Sequence, residues 1–228
     1  MKKFELTTEF ITNMFGTKLF RIKALVEFGD VKAGELGGYV EKEENVSQDG
    51  NAWVSDNAEV YGNARVYGNA RVSDNAEVFG DAWVYGSARV YGNARVYGDA
   101  WVSGNARVYG NARVYGDAWV SGNARVSDNA RVFGGAWVYG SARVSGDAQV
   151  SGNADYALVQ GFGTQFRCTT FYRGKDKKIM VNCGCFHGDL EAFREQVKET
   201  RSGKIAKEYL MIADLMEYRF ASEDSGNE

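Results

Sequence analysis

A valine recurs at every sixth position from Val54 to Val150, and an alanine precedes each of these valines by two residues. Residues 64–69, with the sequence ARVYGN, form a typical unit. Within a unit the residue types alternate with a period of two, so alanine and valine face one side of a short strand. Because so short a strand cannot bury its own apolar face, successive units must coil and stack in parallel, about 4.8 Å apart. The repeat therefore predicts an all-β solenoid.

The corners between these strands must form without proline, because the chain contains none, although it has 28 glycines. Most units end in glycine or aspartate followed by asparagine, aspartate or serine. Glycine and asparagine adopt left-handed backbone conformations that other residues resist. These two-residue segments therefore predict the sharp turns of the coil.

A longer interval sets the number of units in each coil. Tryptophans recur every 18 residues, at Trp83, Trp101, Trp119 and Trp137. Glu59 and Glu77 share this interval. Three units in each coil, and hence a triangular cross-section, follow from it. The seventeen units then make between five and six coils, a column about 27 Å long at ~4.8 Å per coil.

The same interval sorts the outward side chains into three surfaces. The tryptophan face consists of Trp83, Trp101, Trp119 and Trp137, with Tyr85, Ser103, Ser121 and Tyr139 beside them. The arginine face consists of Arg71, Arg89, Arg107, Arg125 and Arg143. The mixed face consists of Glu59, Glu77, Arg95, Arg113, Arg131 and Gln149, flanked by Tyr61, Phe79, Tyr97, Tyr115 and Phe133. We predict that these surfaces make the contacts of the protein.

The tryptophan face has three interpretations. A monomer rarely exposes a continuous aromatic strip, so we expect a second subunit or a terminal segment to cover it. Alternatively, the indole rings form a platform on which sugars or single-stranded nucleic acid stack. In the third interpretation, identical side chains stabilise the stacked strands and bind no ligand.

The arginine face could grip phosphates, since like charges ~4.8 Å apart repel and an anion would relieve them. Aspartates occupy several corners, at Asp81, Asp99, Asp117 and Asp147. We therefore favour ion pairs with these aspartates, or exposure to solvent, and do not expect a nucleic-acid partner. Stacking of the guanidinium groups on neighbouring tyrosines is a further structural role.

An open solenoid end exposes strand edges, so both ends need caps. We assign residues 1–50 to an N-terminal cap, 51–155 to the solenoid, 156–220 to a C-terminal cap and 221–228 to a disordered tail. The first cap is predicted to contain a strand near Phe4, a short helix after Thr8, a strand from Leu19 to Leu25, and the start of the coil at Val40 and Val46.

The C-terminal cap is predicted to begin with a β-hairpin. Its strands are 165–172 and 178–183, joined at 173–177. Asp189 can cap a helix that presents Leu190, Phe193 and Val197 on one side. A second helix presents the apolar residues Ile205, Tyr209, Ile212, Met216 and Phe220. We interpret both apolar stripes as packing surfaces.

Four residues of the C-terminal cap form a candidate zinc site: Cys168, Cys183, Cys185 and His187. Three thiolates and an imidazole can complete a tetrahedral site, and a hairpin would bring Cys168 close to Cys183. However, Cys-x-Cys is not the usual Cys-x-x-Cys spacing, and free cysteines are commonly buried as small apolar groups. We therefore expect no cofactor and keep zinc as the alternative.

Three segments carry a family resemblance: 19–25 (LFRIKAL), 36–45 (LGGYVEKEEN) and 183–186 (CGCF). With the repeats, they resemble YdcK-like hexapeptide-repeat proteins of bacteria and prophages, over nearly the whole chain. More distantly, the repeats resemble the hexapeptide acyltransferases, whose best-known members are trimers. The resemblance implies a three-sided, left-handed parallel β-helix, which we expect to carry small α+β caps.

The chain has 228 residues, a net charge of −3 and 25% charged residues, as in ordinary soluble proteins. It has no apolar run of the ~18 residues that span a membrane and no apolar signal segment after Met1. Its three cysteines do not form a disulfide framework. We therefore expect a cytoplasmic protein without a membrane partner.

Hexapeptide acyltransferases generally use a histidine on the coil as general base, but the only histidine here, His187, follows the coil. We therefore predict a non-catalytic binding or assembly scaffold, forming a homo-oligomer or binding a protein partner. One alternative is a hexapeptide acyl- or acetyltransferase with another base. The second, implied by the prophage resemblance, is a phage-encoded accessory protein that binds and inhibits a host defence factor.

Overall fold

The computed structural model describes residues 2–221, and in it the repeats form a parallel β-solenoid. Each short strand pairs in parallel with the strand 18 residues further along; Arg89, for example, lies opposite Arg71 and Arg107. The predicted solenoid with stacked coils is confirmed, whereas its left hand and its triangular cross-section stay predictions. The predicted disordered tail lies outside the described residues, apart from Ala221.

The first three strands are β1 (Phe4–Thr12), β2 (Lys18–Ala24) and β3 (Leu36–Val40). The solenoid strands follow: β4 (Trp53–Val54), β5 (Glu59–Val60), β6 (Arg65–Val66), β7 (Arg71–Val72), β8 (Glu77–Val78), β9 (Trp83–Val84), β10 (Arg89–Val90), β11 (Arg95–Tyr97), β12 (Trp101–Val102), β13 (Arg107–Val108), β14 (Arg113–Tyr115), β15 (Trp119–Val120), β16 (Arg125–Val126), β17 (Arg131–Val132), β18 (Trp137–Val138), β19 (Arg143–Val144) and β20 (Gln149–Val150). The last elements are β21 (Tyr156–Phe162), β22 (Arg167–Arg173), β23 (Ile179–Cys183), β24 (Phe186–Asp189), α1 (Leu190–Thr200) and α2 (Gly203–Phe220).

The solenoid strands form three parallel sheets, as the 18-residue interval predicts. The tryptophan face is the sheet β6-β9-β12-β15-β18, and the arginine face is the sheet β4-β7-β10-β13-β16-β19. The mixed face, β5-β8-β11-β14-β17-β20, continues from β3 and so joins the N-terminal cap. Consecutive strands along the chain therefore belong to different sheets, which places each kind of side chain in its own row.

The alanines and valines of the repeats fill the interior and are almost completely excluded from solvent. Burying a valine side chain contributes roughly 1.5–3 kcal/mol, so this column is the main source of stability. At most corners a glycine adopts the left-handed conformation, as Gly92 does with φ 74°. Asp74 replaces it in one coil with φ 60°, and its Oδ2 accepts the backbone N–H of Gly92 at 2.8 Å. The predicted left-handed glycines are confirmed, whereas the left-handed asparagines are wrong, because no asparagine of residues 2–221 has a positive φ.

The N-terminal cap contains a β-hairpin where a short helix was expected, so the predicted helix after Thr8 is wrong. Strand β1 passes through Thr8 and pairs antiparallel with β2, with a bulge between Leu6 and Phe10. The turn is fixed by Asn13, whose Oδ1 accepts the backbone N–H groups of Phe15 and Thr17, both at 3.0 Å. Long-range pairing with β2 outweighs the local preference of Thr8 for a helix cap.

The coil begins where it was predicted to begin. Strand β3 pairs antiparallel with β2 and parallel with β5, where Val40 lies opposite Val60. Val46 forms an isolated parallel bridge with Val66. The same chain segment thus changes from cap to coil without a linker.

Side chains of the N-terminal cap close the first coil. Strands β4 and β6 are the edges of their sheets, and buried carbonyl groups at such an edge need other partners. Lys3 Nζ donates to Ala52 O at 2.9 Å. Asn45 Nδ2 donates to Ala64 O at 2.9 Å and to Gly62 O at 3.1 Å. Both side chains are buried.

The other end is closed by the C-terminal cap. In the last coil, the backbone N–H of Arg143 donates to Thr170 Oγ1 at 2.9 Å, and its C=O accepts from Asn182 Nδ2 at 3.0 Å. Trp137 N donates to Asn153 Oδ1 at 2.9 Å. The solenoid therefore ends in side-chain hydrogen bonds at both extremities.

The C-terminal cap is a four-stranded antiparallel sheet, β21-β22-β23-β24, covered by two helices. The predicted hairpin is confirmed as β22 and β23, but the sequence did not reveal β21 and β24. Asp189 caps α1 as predicted, because its carboxylate accepts the N–H of Ala192 at 2.9 Å. The apolar stripes of both helices pack against this sheet. Within residues 2–221, no helix has both the length and the apolar character needed to cross a membrane.

Candidate functional site

The four indole rings of the tryptophan face contact one another along the solenoid. Trp83 and Trp101 stack with centroids 5.4 Å apart and planes 6° apart. Trp101 and Trp119 meet edge to face at 5.3 Å and 72°, and so do Trp119 and Trp137, at 5.2 Å and 79°. Each such pair contributes roughly 0.5–1.5 kcal/mol beyond the area it buries. The row therefore stabilises the stacked coils whatever it binds.

Part of the tryptophan face remains open. Trp101 is 38% exposed and Trp137 is 50% exposed, and the neighbouring Tyr139 is 56% exposed. Within residues 2–221, the terminal segments leave these three side chains partly exposed, although Tyr139 meets Tyr156 edge to face at 6.3 Å. Cover by a second subunit stays a prediction.

The tryptophan face continues onto the C-terminal cap. Trp137 and Tyr139 line a groove of about 930 Å³ whose other wall is α2, with Leu215 and Tyr218. Leu215 is 57% exposed and Tyr218 is 83% exposed. This second wall was not predicted, although Met211, Leu215 and Tyr218 recur at intervals of four and three residues. This spacing places them on one side of a helix, apart from the buried stripe.

On the mixed face the aromatic residues form an unbroken stack. Neighbouring rings lie 4.9 to 5.1 Å apart and almost parallel, through Tyr61, Phe79, Tyr97, Tyr115 and Phe133. Burial raises the pKa of Tyr97. Because each inner ring has both faces against its neighbours, Tyr97 and Tyr115 stabilise the stack and offer no free ring face to a ligand. Beside them, Arg95 pairs with Glu77 at 2.7 Å.

The arginine face lacks the ion pairs that the sequence predicted. Within the part of the chain that the structure describes, Asp81, Asp99 and Asp117 form no ion pair with it. They lie two residues before tryptophans, in the corner between the mixed and tryptophan faces, while Asp147 accepts from Asn129 at 3.1 Å. The expected pairing is therefore wrong. The exposed arginines of this face are Arg89, Arg107, Arg125 and Arg143.

The first coil of the arginine face is covered by the N-terminal cap. There a buried tryptophan, Trp53, takes the place of an arginine and packs against Phe4 and Phe28. Arg71, in the next coil, pairs with Asp30 of the cap. Burial and then the charge of Arg89 lower the pKa of Arg71. A groove of about 640 Å³ extends from this point along the arginine face.

The structure does not bring together the four residues of the candidate zinc site. The Cys168 thiol points towards the solenoid and donates to Ser141 O at 3.5 Å. Cys183 points towards the helices and accepts from Thr169 Oγ1 at 3.1 Å. Cys185 is exposed. Across the described residues 2–221, no group of three or more His, Cys, Asp or Glu side chains is placed to hold one metal ion.

Strand geometry explains this separation. Cys183 lies opposite Thr169 in the antiparallel pair, and successive residues of a strand point to opposite sides of the sheet. Cys168 therefore projects away from Cys183. Burial also raises the pKa of the Cys168 thiol, which disfavours the thiolate that zinc requires.

His187 belongs to a polar network between the last coil and the C-terminal cap. The buried Tyr172 hydroxyl lies 3.1 Å from His187 Nε2 and 3.2 Å from Ser145 Oγ. Asn182 Nδ2 donates to it at 3.1 Å. This network fastens the cap to the solenoid. The role of Tyr172 was not predicted, although Thr170 and Tyr172 alternate with the helix-facing Phe171.

A comparison with family models matches the chain to the family described as YdcK Beta solenoid repeat. It covers five successive segments of the solenoid: 58–72, 70–86, 88–104, 106–122 and 124–140. No curated protein matches the chain.

Proposed function

We propose that this protein, whose solenoid repeats belong to the YdcK β-solenoid repeat family, is a non-catalytic scaffold for binding and assembly. Its contact surface is the tryptophan face together with the exposed side of α2. The observation that carries the proposal is the open aromatic row that ends in the groove between Trp137 and Tyr218. Large exposed apolar patches mark interaction sites.

The rigidity of this surface supports a scaffold. Strands of successive coils are hydrogen-bonded in register along the tryptophan face, so side chains keep fixed spacings. A preorganised surface loses little entropy on binding. We propose a second copy of the chain as the partner, in a cytoplasmic homo-oligomer. The three free cysteines support that location.

A double variant of two exposed tryptophans tests the proposal. We expect Trp101→Arg with Trp137→Arg to fold, because Arg65 lies in the same row, opposite Trp83. The native protein should be an oligomer by light scattering, and the variant should be smaller, because two charges would be placed in an apolar contact.

The matched control carries Arg113→Gln and Arg131→Gln, two exposed changes on the mixed face, and should keep the native mass. A native protein that is monomeric at all concentrations would contradict assembly through the tryptophan face. An unchanged oligomer in the tryptophan variant would place the interface elsewhere.

The acyltransferase alternative has one observation in its favour. His187 lies against the last coil. Its Cε1 is 3.5 Å from the position that a Cβ atom on Gly146 would occupy. The groove beside it, of about 600 Å³, also contains Lys175 and Asp176. Calorimetry with acetyl-CoA tests this alternative, since binding that is lost in His187→Asn would favour an enzyme over a scaffold.

The phage accessory alternative uses the tryptophan face in another way. It predicts a monomer or small oligomer that binds one defined host protein. That binding should be lost in the Trp101→Arg, Trp137→Arg variant and retained in the Arg113→Gln, Arg131→Gln control. A purified complex of constant stoichiometry would favour this alternative.

A further inference from the structure

The arginine face is a straight row of positive charges on a rigid sheet. Its five arginines are neighbours in register, from Arg71 to Arg143. Neighbouring backbones are therefore about 4.8 Å apart, and the row spans about 19 Å. Guanidinium groups at this spacing repel one another unless they are neutralised.

The corners on either side of this row contain few carboxylates, and within residues 2–221 none of these forms an ion pair with the row. The residues two positions before the arginines are all uncharged: Asn69, Ser87, Asn105, Asn123 and Ser141. In the following corner, side-chain amides bond to one another from coil to coil, at Asn75, Asn93, Asn111 and Asn129. The carboxylates of Asp74 and Asp128 accept backbone N–H groups of the next coil instead.

The two ends of the row are already engaged. Arg71 pairs with Asp30, and Arg143 Nη1 donates to Gly184 O at 3.0 Å. The central arginines, Arg89, Arg107 and Arg125, are exposed and form no ion pair within residues 2–221. The structure thus keeps three adjacent guanidinium groups in line and, within residues 2–221, without an ion-pair partner.

The charge of the row fits a phosphate chain better than the carboxylates of an extended peptide. An extended peptide places side chains of one face about 6.6–6.8 Å apart, which does not match a rise of about 4.8 Å. A phosphate chain carries charge on every unit, and its oxygens accept the paired N–H groups of a guanidinium. Tyr91 and Tyr109, which flank the row, stack on each other at 5.0 Å, and each keeps one ring face without an aromatic neighbour, since Ser73 and Ser127 lie beyond them.

From these observations we infer that the arginine face binds a linear chain of phosphate groups, with Arg89, Arg107 and Arg125 each contacting a different phosphate. The inference rests on the proposed scaffold function and names a second ligand-binding surface for it. Inorganic polyphosphate and the backbone of single-stranded nucleic acid share this chemistry. A strand with bases could in addition stack on the free faces of Tyr91 and Tyr109, so competing probes must distinguish the two sources.

Fluorescence anisotropy with labelled inorganic polyphosphate tests the inference. The variant carries Arg107→Gln and Arg125→Gln, and the matched control carries Arg113→Gln and Arg131→Gln on the mixed face. We expect the first variant to lose at least about tenfold in affinity, since it loses two charge-assisted contacts. The slope of log affinity against log salt should fall by about 1.4, at about 0.7 for each lost contact. The control should stay within about twofold of the native protein.

Two competing probes identify the source of the phosphates. Oligothymidylate that displaces polyphosphate, with the same loss in the Arg107→Gln, Arg125→Gln variant, would support the inference with nucleic acid as ligand. Polyglutamate that binds as tightly as polyphosphate would overturn it in favour of an acidic peptide site. Absence of polyphosphate binding at low salt, or an equal loss in the control, would also overturn it. Light scattering of the tryptophan variant reports on the scaffold independently, so the two proposals can fail separately.

Discussion

The corner glycines provide the sharpest test of how the coils stack. Gly92 has φ 74°, and a Cβ atom on it would lie 3.0 Å from Gly110 N and 3.1 Å from Gly110 O. A residue with a side chain costs about 1–2 kcal/mol in this conformation. The contacts add to this cost, because carbon prefers neighbours at about 3.5–4.0 Å. Reduced freedom of the unfolded chain returns about 0.4–1 kcal/mol. Gly92→Ala should therefore lower the free energy of unfolding by about 1–2 kcal/mol.

Two further variants separate conformation from contact. Gly135 has no left-handed φ and nothing within 4 Å of its Cβ position, so Gly135→Ala should stabilise the protein by about 0.4–1 kcal/mol. Gly92→Asn should recover at least half of the loss, since asparagine tolerates this conformation. Its side-chain oxygen can accept Gly110 N, as Asp74 accepts Gly92 N. Urea unfolding followed by circular dichroism gives all three values. A Gly92→Ala variant as stable as the native protein would refute the reasoning.

Two other predictions concern the closed N-terminal end. Asn45→Ala leaves Gly62 O and Ala64 O without their side-chain donor. Urea unfolding should therefore show a free energy of unfolding lower by about 1–3 kcal/mol. A decrease no larger than that of the exposed control Asn63→Ala would contradict this role of Asn45. Burial, and then the charge of Arg71, lower the pKa of Lys3 from 10.5 to about 8. Because the unfolded chain then holds this proton more tightly, the free energy of unfolding should rise from pH 8 towards pH 10.5, relative to Lys3→Met. Parallel pH profiles for the two proteins would exclude such a contribution.

The solenoid could be predicted from the sequence because one interaction, burial of alanine and valine, repeats in every unit. The same periodicity assigned each outward side chain to its sheet. The pairing of the corner aspartates with the arginine face was not predicted correctly. Asp81 precedes Trp83 by two residues, so it lies at the edge of the tryptophan face that is remote from the arginine face. The order in which the mixed, tryptophan and arginine strands follow one another along the sequence is enough to predict this position.

The caps were less predictable because their contacts join distant parts of the chain. Thr8 is a good helix cap by itself, but β1 is held by β2 and by a turn that depends on Asn13. Strand β21 has a bulge between Val159 and Phe162 that breaks its alternation, and β24 is only four residues long. The candidate zinc site failed for a related reason, since closeness along a hairpin does not determine the side of the sheet to which a thiol points.

The hydrogen bonds at the two solenoid ends determine how copies of this chain can grow into larger structures. Stacked parallel strands are a template for adding further strands, and an open edge would recruit the edge of another molecule to form a fibre. Lys3 and Asn45 occupy the acceptors of the first coil, and Thr170 and Asn182 occupy backbone groups of the last. These side chains therefore disfavour the end-to-end addition of further molecules to the stacked strands. Capped ends disfavour growth along the axis, so a homo-oligomer of the kind we propose would assemble side by side.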